Sequence, residues 1–144
     1  IAIADGAGLH GGQVGAGART HSMNHRDLAV WQKSMALAVS VHALSKQMPG
    51  EETFGLASQM RRAAVSVPSN TAEGAARHTT KEFLTFLYIA RGSLAELETQ
   101  LRLTRAIGYL PDELVSPALA STDEVGRLLT SVIAGLKRRL ARSK

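Results

Sequence analysis

Cysteine is absent from this 144-residue chain. That absence removes disulfides, thiolate zinc sites and cysteine nucleophiles together, and it agrees with a reducing, cytoplasmic location. Aromatics are scarce: three Phe, two Tyr and one Trp. Strands favour aromatic and β-branched residues, so the scarcity argues against a β-sandwich and for Leu/Ala-rich helices. No apolar run approaches the ~20 residues that cross a bilayer, so no membrane partner is expected. What is present, 44% hydrophobic and 20% charged residues, suits one globular domain. A chain of this length buries roughly two-thirds of its unfolded surface in a single core.

The charge balance is positive, +5 with a pI near 10.1, which favours an anionic partner such as nucleic acid. Residues 1–23 read as a separate glycine-rich tail: Gly6, Gly8, Gly11, Gly12, Gly15 and Gly17 fall there, with only Asp5 and Arg19 charged. Gly6, Gly8 and Gly11 match the dinucleotide fingerprint G-x-G-x-x-G, but the fingerprint needs a strand before it and a helix after it, and neither pattern is there. No cofactor is expected. Met23 opens a different sequence and reads as the natural start, the tail being an upstream or added extension.

Residues 24–144 read as four amphipathic helices. The first, about His25 to Met48, carries Val30, Leu37, Val41, Leu44 and Met48 at spacings of seven, four, three and four, beside a second stripe of Leu28, Trp31, Met35 and Ala38. Pro49 and Gly50 stop it. The second continues Leu56, Met60, Ala63 and Val67 from Phe54 onward, with Thr53 as its cap. Pro68 interrupts this segment. It removes a backbone donor and presses on the Ala64 carbonyl, costing about 3 kcal/mol in a helix interior; Ser66, Ser69 and Asn70 can bond freed backbone groups nearby. A helix bent at Pro68 is expected, with a full break into two as the alternative, and Ala72, Gly74, Ala75 and Ala76 allow close packing beyond it. The third, Thr80 to Ile107, has an unbroken seam of Phe83, Leu87, Ala90, Leu94, Leu97, Leu101 and Thr104, as in bundles packed near +20°. Thr79 or Thr80 caps it and Gly108 ends it. The fourth opens at Pro111 with Asp112 and Glu113. A break at Pro117 and Ser121-Thr122-Asp123 is expected, then a seam of Val125, Leu129, Val132, Leu136 and Leu140.

Three stretches carry a specific resemblance: "LAVWQKSMALAV", "FGLASQMRRAAVSVPSNTAEGAAR" and "EFLTFLYIARGSLAELETQL". They closely resemble the four-helix-bundle proteins encoded in intervening sequences of bacterial 23S ribosomal RNA genes, also labelled S23 ribosomal proteins. The resemblance spans about Asn24 to Leu140; Thr71 departs from it, standing where an aliphatic residue is usual. It implies an antiparallel up-down four-helix bundle that assembles into a ring-shaped homopentamer. A related branch, the accessory proteins of diversity-generating retroelements, resembles a basic pentamer that binds nucleic acid and a reverse transcriptase. The intervening-sequence members themselves have no established biochemical activity.

Catalytic chemistry finds no support. A di-iron bundle needs Glu-x-x-His pairs, yet the residues three before the five histidines are Ala7, Ala18, Ser22, Val39 and Ala75. No G-x-S-x-G elbow is present, and Glu96 and Glu98 point about 200° apart on a helix. Neither an enzyme nor a metal site is expected. The candidate nucleic-acid-binding residues are Arg61, Arg62, Arg77, Lys81, Arg91, Lys137, Arg138 and Arg139, with Arg102 and Arg105 as further cations that could share their surface. Adjacent on a helix, Arg61 and Arg62 diverge by about 100°, one inward and one outward. Glu73 is placed to pair with Arg77 at i+4. Gln59, Ser66, Pro68, Asn70, Glu73, Gly74, Gly92, Ser93 and Glu96 form a structural or interface motif, with Gly92-Ser93 read as a close helix crossing. A basic oligomeric ring that binds RNA or DNA without base readout and a protein-interaction ring are the two readings left open.

Overall fold

The structure, a computed structural model, describes residues 23–143; the glycine-rich tail assigned to residues 1–23 lies outside them except for Met23. Four helices make up the described fold: α1 (Ala29–Ser45), α2 (Leu56–Ala75), α3 (Thr80–Ile107) and α4 (Asp112–Arg142). Each packs closely on its neighbours in the cycle α1–α2–α3–α4–α1, and among the described residues no diagonal pair of helices brings its backbones as close. The direction of each is read from cross-helix contacts. Met60 of α2 meets Thr104 near the end of α3, and Ser66 meets Ser93. Lys33 of α1 pairs with Glu124 of α4 at 3.4 Å while Leu44 shares a cleft with Leu114, and Ser45 at the end of α1 meets Arg61 near the start of α2. The bundle is antiparallel and all-α, as expected. Phe83, Leu37, Met60, Leu87, Leu97, Leu101 and Leu129 are its largest fully buried side chains, each worth about 1.5–3 kcal/mol of burial.

Local chemistry sets the helix ends. Thr79 and Glu82 form a reciprocal capping box at the start of α3. Gly108 ends it at φ +90°, where the Gly108 and Tyr109 amides donate to the Arg105 and Thr104 carbonyls, a left-handed closure that suits glycine. At α2 the expected cap is corrected. Thr53 donates its hydroxyl to the Gly50 carbonyl, and it is the Glu52 carboxylate that accepts the Leu56 amide at 3.0 Å. Phe54 is 95% exposed and precedes the helix. The first segment is also shorter than expected: Asn24 caps a separate 3-10 turn at His25–Asp27, and α1 begins only after the extended Leu28.

Proline is tolerated twice inside helices. α2 runs unbroken through Pro68, so the two-helix alternative fails. The expected local repair takes another form: Asn70 donates to the Ser66 carbonyl and hydroxyl, at 2.8 and 2.9 Å, rather than to groups freed by Pro68. Buried Thr71 satisfies its hydroxyl on the Val67 carbonyl. α4 likewise continues through Pro117, against the expected break. Only one helical turn lies upstream of Pro117, and Thr122 bonds back to Ala118 instead of capping a new helix. In the α4 seam Ile133 is buried, while Val132 packs only at its edge.

Beyond Pro68 the helices close tightly. A Cβ on Gly74 would come within 2.8 Å of Phe83 Cδ2 and of Phe86 Cβ. Gly92, expected at a close crossing, faces open space instead; the crossing is made by Ser93, whose hydroxyl lies 2.7 Å from that of Ser66.

Candidate nucleic-acid interface

Antiparallel helices bring the start of α1, the end of α2, the start of α3 and the end of α4 to one half of the bundle. That half holds Arg26, Arg77, Lys81, Arg91, Lys137, Arg138, Arg139 and Arg142 against Asp27, Glu73 and Glu82. Nearer the middle Lys33 pairs with Glu124 and Arg127 with Asp123. In the opposite half Lys46, Arg61, Arg62, Arg102 and Arg105 are offset by Glu51, Glu52, Glu96, Glu98, Asp112 and Glu113. Net positive charge is therefore concentrated at one end. Arg139 and Arg142 sit in the last turn of α4, and Arg77 just beyond α2, where the helix dipoles favour cations.

The structure divides the basic residues that were expected to share a surface. Arg77, Lys81, Arg91, Lys137, Arg138 and Arg139 come together in the basic half. Arg77 pairs with Glu73 at 3.0 Å, as its i+4 spacing predicts, and stacks over Phe86. Lys81, Arg138 and Arg139 are exposed and have no carboxylate partner among the described residues. Arg61 and Arg62 lie at the other end. The Arg61 guanidinium turns inward as a strut, donating to the Ser45 hydroxyl at 3.2 Å and the Thr53 carbonyl at 3.0 Å, while Arg62 is exposed. Arg102 and Arg105 are engaged by Glu98 and Asp112.

Tyr88 is a feature the sequence reading missed. Arg91 of α3 and Lys137 of α4 both sit over its ring, at 5.0 and 5.7 Å from the centroid, within cation–π range. Neither has a carboxylate partner among the described residues, so the ring holds two cations together with their charge available to an anion. The Tyr88–Arg91 spacing of three residues was a usable signal. The reach of Lys137 depends on the register of α3 against α4, which one sequence does not specify.

The interface motif is split as well. Ser66, Asn70 and Ser93 form a hydrogen-bonded cluster between α2 and α3, and Gly74 is the close-approach site. Gln59 and Glu96 are exposed; Glu96 accepts from the Gln100 amide at 3.2 Å. At the far end the Tyr109 hydroxyl donates to Glu52 at 3.0 Å. That bond, reinforced by desolvation and by the charges of Glu52 and Glu51, raises the pKa of Tyr109.

Over residues 26–131 the sequence matches the family model described as 23S rRNA-intervening sequence protein. The chain belongs to the 23S rRNA-intervening sequence protein family. A similar solved structure is a crystal structure, at 1.70 Å resolution, of a protein of unknown function from the S23 ribosomal protein family of Bacteroides thetaiotaomicron VPI-5482. It is 27% identical, with a TM-score of 0.69 over 73% of this chain and 98% of that one. No curated protein matches. For this intervening-sequence protein, no helix among the described residues is long and apolar enough to cross a membrane, and no three metal-ligating side chains among them cluster together.

Proposed function

We propose that this intervening-sequence protein is a non-enzymatic, cytoplasmic scaffold that assembles into a homopentameric ring and binds nucleic acid, chiefly RNA, through its phosphates. The single observation that carries this reading is the concentration of unpaired cations in one half of the bundle. Repetition amplifies it, since five copies of a +5 chain bring about +25 to one particle, enough to release counterions from a phosphate backbone. With the helices along the ring axis, rotation gathers the basic halves on one rim. Phosphate contacts of this kind position a nucleic acid without reading bases. A catalytic role has no residues to carry it: Ser66 and Ser93 bond each other, and Glu96 and Glu98 are turned to Gln100 and Arg102.

Fluorescence anisotropy with structured RNA and with duplex DNA, titrated across ionic strength, tests the reading. Binding with a steep salt slope is expected: six to ten phosphate contacts lose about 10³–10⁵ in affinity between roughly 50 and 200 mM salt. No binding at low salt refutes it. A ring that docks protein partners is the second reading, favoured by an exposed apolar groove between α1 and α2.

A further inference from the structure

Trp31, Met35 and Val39 of α1 face Val65, Pro68 and Ala72 of α2 across an open groove of about 560 Å³. Val39 is 68% exposed and Val65 54%. No carboxylate lines the groove, and His25, His42 and Ser69 supply its polar edge. An apolar surface of this kind marks an interaction site.

A second apolar feature, convex rather than concave, stands on α3. Ile89, Leu103 and Ile107 are each about half exposed. Positions 89, 96 and 103 are seven apart and fall nearly in line on a helix, and from Ile89 to Ile107 the ridge runs about 27 Å at 1.5 Å per residue. Ser93 and Gln100 lie one turn beyond Ile89 and Glu96 on the same flank, and Ser93 meets Ser66 of α2. The ridge therefore borders α2 on the side away from the groove. Glu96, midway along it, has only the neutral Gln100 amide as a partner among the described residues.

We propose that the α1/α2 groove receives the α3 ridge of a second copy of this chain. This rests on the ring reading above and names the two faces that build the ring. Shape and polarity both select the occupant: a convex apolar ridge with one carboxylate, Glu96, fits an apolar groove whose polar edge is His25, His42 and Ser69 and which holds no carboxylate. The contact is heterologous, because each copy presents one groove and one different ridge, so it propagates from copy to copy. Groove and ridge lie on adjacent sides of the bundle with α2 between them. Each added copy is thereby turned relative to the last, which is the condition a ring requires of a heterologous contact.

Two variants of the full chain test this by light scattering, with circular dichroism verifying that each stays helical: Val65→Asp in the groove, and Ile89→Asp with Leu103→Asp on the ridge. Each alone is expected at the 15.3 kDa monomer mass at a concentration where the wild type is assembled. Mixed in equal amounts, they retain one sound groove and one sound ridge, and a heterodimer of twice that mass is expected. Either variant keeping the wild-type mass overturns the assigned faces while leaving the ring standing. Monomeric variants that fail to pair on mixing overturn the groove–ridge match, as an isologous groove–groove contact or another occupant would produce. A wild type that is itself monomeric at micromolar concentration removes the ring reading, and this proposal with it.

Discussion

The Lys137 ammonium of α4 lies 5.7 Å from the centre of the Tyr88 ring of α3, which joins the basic end of the last helix to the start of the third. Arg91 sits over the same ring. Tyr88→Leu keeps the bulk and removes the ring, so it should cost about 1–2 kcal/mol for two exposed cation–π contacts. Polyanion affinity should also fall as the two cations separate. Chemical denaturation and anisotropy measure the two effects independently.

Glycine at positions 74 and 92 should respond in opposite directions to the same substitution. Gly74→Ala drives a methyl group against Phe83 and Phe86 and should destabilise by about 1–3 kcal/mol. Gly92→Ala meets nothing within 4 Å inside a helix, so it should stabilise by about 0.5–1 kcal/mol. Urea midpoints with unchanged slopes would verify both.

The adjacent arginines Arg61 and Arg62 differ as strongly. Arg61→Ala leaves the Ser45 hydroxyl and the Thr53 carbonyl without their charged donor and should cost about 1.5–3 kcal/mol. Arg62→Ala, at an exposed position, should stay within about 0.5 kcal/mol of wild type. Thermal denaturation of the pair of variants decides it.

Tyr109 makes the alkaline limb of stability predictable. Its folded pKa is raised, first by donation to Glu52, so its contribution is fully present below the ordinary tyrosine pKa of about 10. That contribution is lost as pH rises through the elevated folded value, where a phenolate would face Glu52 and Glu51. Ultraviolet titration should show one late-ionising phenol that disappears in Tyr109→Phe, and the variant should lose less stability than wild type across that alkaline range.

How much of this was legible in the sequence differs from helix to helix. The α3 seam, a threonine cap at Thr79 or Thr80 and the Gly108 terminator were readable because periodicity and capping are local, and the structure selects Thr79, with Glu82 completing a box. Proline was harder to read. Whether Pro68 or Pro117 breaks a helix depends on tertiary packing that outweighs a local cost of about 3 kcal/mol, and both helices continue. Glu52 was missed as the α2 cap because it reaches the Leu56 amide from outside the usual capping position. Most of the candidate cations are exposed, but their division into a basic half and an opposite, offset half follows from helix direction and register. The pairing of Lys137 with Tyr88 was invisible for the same reason.

In the proposed function one end of the bundle, rather than overall charge, binds nucleic acid. Two charge-matched variants test it directly in the same anisotropy titration with structured RNA: Lys137→Gln, Arg138→Gln and Arg139→Gln together at the basic end, and Lys46→Gln, Arg62→Gln and Arg102→Gln together at the opposite end. The first should lose most of the affinity, with the salt slope falling by about one for each phosphate contact removed, and the second should bind nearly as the wild type does. Equal losses from the two would contradict a localised interface and leave only diffuse attraction by net charge.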